Sequence, residues 1–248
     1  MTATVLVTRG TGQNASLVQG LQSAGCCVKA VPVITTVPRY KQEEEAAGRW
    51  KNGDIDWMLV TSVNAVYYLA GWKKRYGLGI PDGLKTAAVG PKTRQALELE
   101  GFQVELMPEK YNAVSLAESA GRVIDRRESV LLPQSAQAAD TLHRLLAAQG
   151  INIWVWHLYT TVPEEKNKSL LQSVLKTREI DVLTAASPSS INALHQLAGA
   201  YRQVLSAIPV VAIGPSTGRA ARESGFKYVY EAEVHSVEGI IEKTKEII

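Results

Sequence analysis

Residues 88–93 read Ala88-Val89-Gly90-Pro91-Lys92-Thr93, and residues 212–217 read Ala212-Ile213-Gly214-Pro215-Ser216-Thr217. In each copy an apolar stretch precedes Gly-Pro, a Thr follows two positions later, and a helical pattern continues. Pro suits the first position of a helix because the N–H that it lacks would have no partner there. Free backbone N–H groups and the positive end of the helix dipole predict an anion-binding site at each copy. We call Gly90–Thr93 and Gly214–Thr217 the two Gly-Pro-x-Thr turns.

The repeat is much wider than these turns. Val5-Leu6-Val7 aligns with Val130-Leu131-Leu132, and Asp56–Ser62 aligns with Asp181–Ser187 at the same offset. The offset between the two Gly-Pro-x-Thr turns is one residue shorter than the offset between these other aligned segments. A repeat this long indicates a duplicated domain, since the repeats of solenoid proteins run to only about 20–50 residues.

Short apolar strands alternate with helical patterns in both halves, which predicts an α/β fold with parallel sheets covered on both faces. The predicted strands are Val5–Thr8, Val28–Ile34, Asp54–Val60, Ala87–Val89, Val104–Met107, Val130–Leu132, Ile153–His157, Val182–Ala185, Val210–Ile213 and Tyr228–Tyr230. Ser62, Ser187 and Ser236 are predicted to begin helices, and Ser115–Glu118 is predicted to be a capping box that opens another. Ligands of such folds bind beyond the carboxyl ends of the strands, where the loops of this chain are rich in hydroxyl groups and glycine.

The composition argues against several classes of function. A net charge of +3 over 248 residues gives no basic stripe for nucleic acid. The two cysteines are adjacent, so they are expected to be structural thiols without a disulfide, and the four histidines lack metal-ligand spacing. No apolar run reaches the ~20 residues of a membrane span and no signal peptide is recognisable, so the cytoplasm is the default location.

Other catalytic patterns are weak. Gly10–Ala15 fits the glycine-rich dinucleotide fingerprint, yet the acidic residue expected ~20 positions later is missing. A nucleotide-dependent enzyme therefore stays open only as a minor alternative. Asp56 and Asp181 precede strands and are read as turn or cap residues, and Glu43–Glu45 as a solvated helix start.

Seven short motifs in this order resemble the uroporphyrinogen-III synthase family. In chain order they are Val7-Thr8-Arg9, Asp56–Val66, Ala88–Thr93, Tyr159–Pro163, Asp181–Ser189, Ala212–Thr217 and Ser236. Each motif is weak alone, but their order and spacing over nearly the whole chain are specific.

The resemblance implies two similar flavodoxin-like α/β domains, each a parallel sheet flanked by helices, with a two-stranded linker and a cleft between them. One domain would be split over residues 1–36 and 164–248, and the other would be residues 37–163. The linker strands would lie at about residues 33–40 and 159–164. The two Gly-Pro-x-Thr turns would then face each other across the cleft.

The resemblance further implies a lyase of tetrapyrrole and heme biosynthesis that uses no cofactor and no metal. Its substrate would be hydroxymethylbilane, a linear tetrapyrrole with eight carboxylates, handed over by the upstream deaminase. Tyr159 would assist departure of the hydroxyl group. The residues expected to bind substrate are Arg9, Ser62, Asn64, Thr93, Ser115, Ser187, Ser189, Thr217 and Ser236. A monomer is the default state.

Two departures from the family pattern leave an alternative open. Gln134 stands where the family often has Arg, and Arg9 is followed by Gly10 where Pro is common. A two-lobed protein that binds a tetrapyrrole or regulates without cyclising it is the second hypothesis.

Overall fold

Two sheets organise the molecule, for which a computed structural model describes residues 2–10 and 14–248. The described residues form these strands: β1 (Thr4–Val7), β2 (Cys27–Ala30), β3 (Ile34–Pro38), β4 (Trp57–Val60), β5 (Lys85–Ala88), β6 (Val104–Leu106), β7 (Ser129–Ser135), β8 (Asn152–Pro163), β9 (Val182–Ala185), β10 (Val210–Ala212) and β11 (Val229–Glu231). One sheet has the order β11-β10-β9-β1-β2 and the other the order β3-β8-β7-β4-β5-β6.

Helices connect the strands. They are α1 (Ala15–Ser23), α2 (Glu43–Asn52), α3 (Val63–Tyr76), α4 (Pro91–Leu99), α5 (Ala113–Ala120), α6 (Thr141–Ala147), α7 (Lys168–Thr177), α8 (Pro188–Ala198), α9 (Arg202–Ala207), α10 (Pro215–Glu223) and α11 (Val237–Ile247). Short 3-10 turns at Glu165–Asn167 and Gly199–Tyr201 precede α7 and α9. The helices α4 and α10 begin at Pro91 and Pro215, as the Gly-Pro-x-Thr turns predict.

The pairing of the strands shows the duplication with an exchange of its N-terminal part. Strand β1 pairs in parallel with β9, with Val5 opposite Val182, whereas β7 pairs in parallel with β4, with Val130 opposite Trp57. The order β11-β10-β9-β1-β2 therefore matches β6-β5-β4-β7-β8, which confirms the predicted α/β class with two similar parallel sheets.

Both faces of each sheet are apolar. Successive residues of a strand point to opposite sides of the sheet, and here residues on both sides are apolar. In β1, Leu6 packs into the core against α7 and α8, while Val5 and Val7 pack into the core against α1 and α11. In β4, Met58 and Leu59 divide between two layers in the same way. Burial on two faces explains why the strands read as continuous apolar runs.

Contacts divide the chain into two compact units. Unit 1 contains Met1–Thr36 and Thr161–Ile248, and unit 2 contains Val37–Thr160.

The prediction of one strand over Val28–Ile34 was wrong. The chain leaves β2 after Ala30, and β3 begins at Ile34 in the other sheet. Pro32 lies in the break and cannot donate a ladder hydrogen bond, so an uninterrupted strand is disfavoured there.

Glu43 also differs from expectation. It does begin a helix, but its side chain is 7% exposed rather than solvated. Its carboxylate accepts hydrogen bonds from Arg75 at 3.1 Å and from the Tyr76 hydroxyl at 3.4 Å, which ties α2 to α3.

Asp56 and Asp181 have the structural role that their position before a strand predicts. The Asp56 carboxylate accepts the N–H of Ser129 at 2.7 Å, and the Asp181 carboxylate accepts the N–H of Thr4 at 2.8 Å. These equivalent bonds join the starts of neighbouring strands, at the end opposite the functional loops.

Candidate functional site

The loops that follow β1, β9, β10 and β11 lie along one edge of the sheet in unit 1, because these strands are parallel neighbours. Four groups of residues predicted to bind substrate occupy these loops. In the order of the sheet they are Ser236, Gly214–Thr217, Ser187–Ser189 and Arg9. Unit 1 therefore brings its predicted residues to one edge.

Thr217 has the most unusual environment in unit 1. It is the third residue of α10 and is 1% exposed. Its hydroxyl oxygen is fully buried and has no hydrogen-bond partner among the described residues. Buried hydroxyls normally have a partner, since leaving one without costs about 1–3 kcal/mol. The adjacent free N–H groups of the first turn and the helix dipole favour an anion at this position.

Gly214 is required by a close approach rather than by its backbone angles, which are extended. A Cβ atom at Gly214 would lie 2.9 Å from Cδ2 of His235. The His235 ring therefore lies against the start of α10, and a larger residue at 214 would displace it. Sequence reasoning missed His235, although it directly precedes the predicted Ser236.

Ser187 and Ser236 are the helix caps that the sequence predicts. The Ser187 hydroxyl accepts the N–H of Ser190 at 3.2 Å, and the Ser236 hydroxyl accepts the N–H of Gly239 at 3.1 Å. Ser187 also lies 2.9 Å from the hydroxyl of Ser189. Arg9 is half-buried after β1. All four side chains are partly accessible. The serines could still donate their O–H groups to a ligand, and Arg9 its guanidinium N–H groups.

Unit 2 repeats the arrangement around the start of α4. Thr93 is again the third residue of the helix and is 5% exposed. A Cβ atom at Gly90 would lie 3.1 Å from Cβ of Tyr111, so a ring also covers this turn. The two Gly-Pro-x-Thr turns thus share their backbone and differ in the covering ring, which is Tyr111 in one and His235 in the other.

The prediction that Ser115 opens a helix was wrong. Helix α5 begins at Ala113, and the side chain of Asn112 accepts the N–H of Ser115 at 2.9 Å. Asn112 thus has the place that Ser236 has in unit 1. The signal was present in the sequence, because Asn112 and Ser236 are separated by the same number of residues as the two Gly-Pro-x-Thr turns.

Ser62 and Tyr159 lie together in unit 2, where the sequence had predicted separate roles. Their hydroxyl oxygens are 3.1 Å apart. Ser62 also accepts the N–H of Ala65 at 3.1 Å, which makes it the predicted cap of α3. Asn64 is half-buried in the first turn of that helix. Since the Ala65 N–H occupies an acceptor position of Ser62, the Ser62 O–H can donate to the Tyr159 oxygen and leave the phenol proton available.

Tyr159 is a strand residue with a buried phenol. It belongs to β8 and is 6% exposed. The Tyr68 ring stacks on it, with centroids 5.0 Å apart and planes 13° apart. Burial raises the pKa of Tyr159 above its ordinary value, and the hydrogen bond from Ser62 opposes that rise. The phenol therefore keeps its proton at neutral pH and can act as an acid.

The dinucleotide fingerprint of residues 10–15 includes Thr11, Gly12 and Gln13, which lie outside the described residues. Both cysteines are free, and Cys26 is buried. Among residues 2–10 and 14–248, His, Cys, Asp and Glu form no group of three that could hold a metal ion. No helix in the same ranges is both long and apolar enough to cross a membrane.

Comparison with known proteins gives a match over most of the chain. The family model described as uroporphyrinogen-III synthase HemD matches residues 17–242. This match includes both Gly-Pro-x-Thr turns, Ser62 and Tyr159, and it leaves out Arg9.

Two curated proteins illustrate the similarity. The porphyrin biosynthesis protein HemD of Ruminiclostridium josui is 26% identical over 98% of this chain, which spans 48% of that longer protein. The chloroplastic uroporphyrinogen-III synthase of Oryza sativa subsp. japonica is 27% identical over 98% of this chain and 80% of its own length.

A solved structure supports the fold. Uroporphyrinogen-III synthetase from Helicobacter pylori 26695 aligns over the full length of both chains with a TM-score of 0.67 and 16% identity. At this identity the likeness concerns the fold.

Proposed function

This chain belongs to the uroporphyrinogen-III synthase family, and we propose that it cyclises hydroxymethylbilane to uroporphyrinogen III. Water is lost from the terminal hydroxymethyl group, ring D is inverted through a spiro intermediate, and the macrocycle closes. The protein acts as a lyase of tetrapyrrole biosynthesis, and its main task is to fold and orient a reactive substrate.

The buried, unpartnered hydroxyl of Thr217 at the start of α10 carries the binding part of this proposal. A substrate carboxylate at this helix start would accept hydrogen bonds from that O–H and from backbone N–H groups. It would thereby offset the free-energy cost of burying the hydroxyl without a partner. Thr93 takes the same role in α4. Arg9, Ser187, Ser189 and Ser236 add contacts from unit 1, and Ser62, Asn64 and Ser115 add contacts from unit 2.

Tyr159 acts as the acid that assists the leaving hydroxyl. The carbon–oxygen bond of the hydroxymethyl group breaks, and the phenol proton leaves with the oxygen as water. The pyrrole nitrogen lone pair compensates the charge on the carbon. Ser62 supports this step because its O–H can donate to the phenol oxygen, 3.1 Å away, as negative charge develops there.

The domain organisation of the proposal follows the family. One domain comprises residues 1–36 and 164–248, the other comprises residues 37–163, and both contribute contacts to the substrate. The two compact units, which divide after Thr36 and Thr160, support this proposal. We further propose that the protein is a cytoplasmic monomer that needs no cofactor and receives its substrate from the upstream deaminase.

Gln134 is the departure from the family pattern that bears on substrate affinity. It is 6% exposed in β7, where the family often has Arg. Replacing a cation by an amide weakens a charge-assisted contact with a carboxylate by about 1–3 kcal/mol. Gln134→Arg is therefore expected to lower the KM for hydroxymethylbilane.

The proposal is tested by supplying enzymatically generated hydroxymethylbilane and separating the product isomers. Formation of uroporphyrinogen III above the background without protein supports it. Uroporphyrinogen I alone, which arises by spontaneous closure, would exclude the synthase activity.

A further inference from the structure

Tyr68 is the residue whose placement the proposed mechanism does not yet use. It lies on α3, six positions after Ser62, and its ring stacks on Tyr159 with an interplanar angle of 13°. We infer that Tyr68 is a positioning residue, which holds the plane of the Tyr159 ring while Ser62 holds its hydroxyl group. The catalytic part of this inference rests on the proposed role of Tyr159 as the acid.

The orientation of the Tyr159 phenol requires two restraints, because one contact does not set the plane of the ring. The β8 backbone and the Ser62 hydroxyl, 3.1 Å from the phenol oxygen, place the two ends of the side chain but do not set rotation of the ring about the axis between them. A stacked ring restricts that rotation, since offset stacking is favourable only over a narrow range of plane angles and separations. Together the two contacts determine the direction in which the phenol O–H points.

Tyr68 is itself held firmly enough to position another residue. The next residue, Leu69, and Trp72 one turn later are almost fully buried, so this part of α3 is anchored in the core. The exposed ring of Tyr67 packs edge-on against Tyr68, with ring centroids 5.2 Å apart. The order Tyr67-Tyr68-Tyr159 thus runs from an exposed ring to a buried one.

The same elements supply both restraints. Ser62 caps α3 and Tyr68 lies within it, so one rigid helix carries the hydroxyl partner and the ring partner of Tyr159. Groups that are placed on one rigid element keep their mutual geometry during turnover, and a misplacement near 1 Å can cost about 10²-fold in rate. A positioning role therefore predicts a loss in kcat, with little change in KM.

The experiment compares Tyr68→Leu, Tyr68→Phe and Tyr228→Leu, the last replacing an exposed tyrosine of unit 1 as a matched control. We expect Tyr68→Leu to lower kcat about 10-fold with KM changed less than about 2-fold. Tyr68→Phe keeps a stacking ring and should retain kcat within about 2-fold, and the control should resemble the parent protein.

A second measurement is independent of activity. NMR of ring-labelled tyrosine follows the Tyr159 signals, which are assigned by their loss in Tyr159→Phe. In Tyr68→Leu the ring loses its cover, so its signals should move and its phenol should titrate at lower pH than in the parent protein. If Tyr68→Leu does not fold, Tyr68→Met fills similar space with a flexible side chain and takes its place.

The outcomes separate the two claims. An unchanged kcat in the Leu or Met variant would overturn the positioning role. A Tyr159→Phe variant with full kcat would instead remove the proposed acid role, while the flip rate of the Tyr159 ring, which should be faster in Tyr68→Leu than in the parent protein, still decides whether Tyr68 holds the ring.

Discussion

Replacing Thr217 by Val should make the protein more stable and a poorer binder of substrate. The two side chains have nearly the same shape, and their helix propensities are similar. The hydroxyl of Thr217 is fully buried without a partner among the described residues, so its removal relieves a desolvation cost. That cost is about 1–3 kcal/mol, and we expect the free energy of unfolding to rise by about 1 kcal/mol.

Substrate binding should change in the opposite direction. A hydrogen bond to a carboxylate is worth about 1.5–3 kcal/mol, which corresponds to roughly 10- to 150-fold in affinity. Urea denaturation of the free protein measures the first effect, and KM in the cyclisation assay measures the second.

A matched control is available in the same unit. Thr244 is also fully buried, but its hydroxyl donates to the carbonyl oxygen of Ile240 at 2.7 Å. Thr244→Val should therefore lower the free energy of unfolding by up to about 1 kcal/mol and leave KM unchanged. If Thr217→Val were destabilising like the control and did not alter KM, the reasoning about an unpartnered hydroxyl kept for a ligand would be refuted.

Two ion pairs give further predictions. Arg75→Met leaves the carboxylate of Glu43, 7% exposed, without its cation. Because Arg75 itself is 44% exposed, the expected loss of stability is about 1–2 kcal/mol, and it should exceed that of Glu43→Gln; equal losses in urea denaturation would contradict this. Lys85, which donates to Glu128 at 2.8 Å, is the main cause that lowers the pKa of Glu128. As the pH falls, Glu128 is therefore protonated in the unfolded chain before it is protonated in the folded protein. The stabilisation that the ion pair contributes is present above the ordinary Glu pKa of about 4.3 and is lost as the pH falls through the lowered pKa of the folded protein. Glu128→Gln should therefore be less stable at pH 7 by about 1 kcal/mol, with a difference that closes in acid, and a pH-independent difference would count against the ion pair.

Local signals in the sequence predicted much of the fold and part of the site. The starts of α4 and α10 at Pro91 and Pro215 followed from the missing N–H of proline, and the caps at Ser62, Ser187 and Ser236 followed from hydroxyls that accept free N–H groups. These features depend on neighbours within one helical turn.

Features that depend on distant neighbours were missed. The ring of Tyr68 meets Tyr159 only because α3 packs beside β8, and no periodicity in the sequence encodes that contact. Burial of Glu43 depends likewise on Arg75 in another helix. The cap at Asn112, in contrast, could have been predicted, because the repeat places Asn112 at the position equivalent to Ser236. The Ser-x-x-Glu pattern at Ser115 matched a capping box more closely and led to the wrong helix start.

The central claim is that this protein directs ring closure of hydroxymethylbilane, and an isomer titration tests it most directly. The fraction of uroporphyrinogen III is measured by chromatography as the protein concentration is raised against a fixed supply of substrate. We predict that the III isomer rises from background to become the main product, and that Tyr159→Phe needs much more protein for the same fraction. A product that stays the I isomer at every protein concentration would contradict the account.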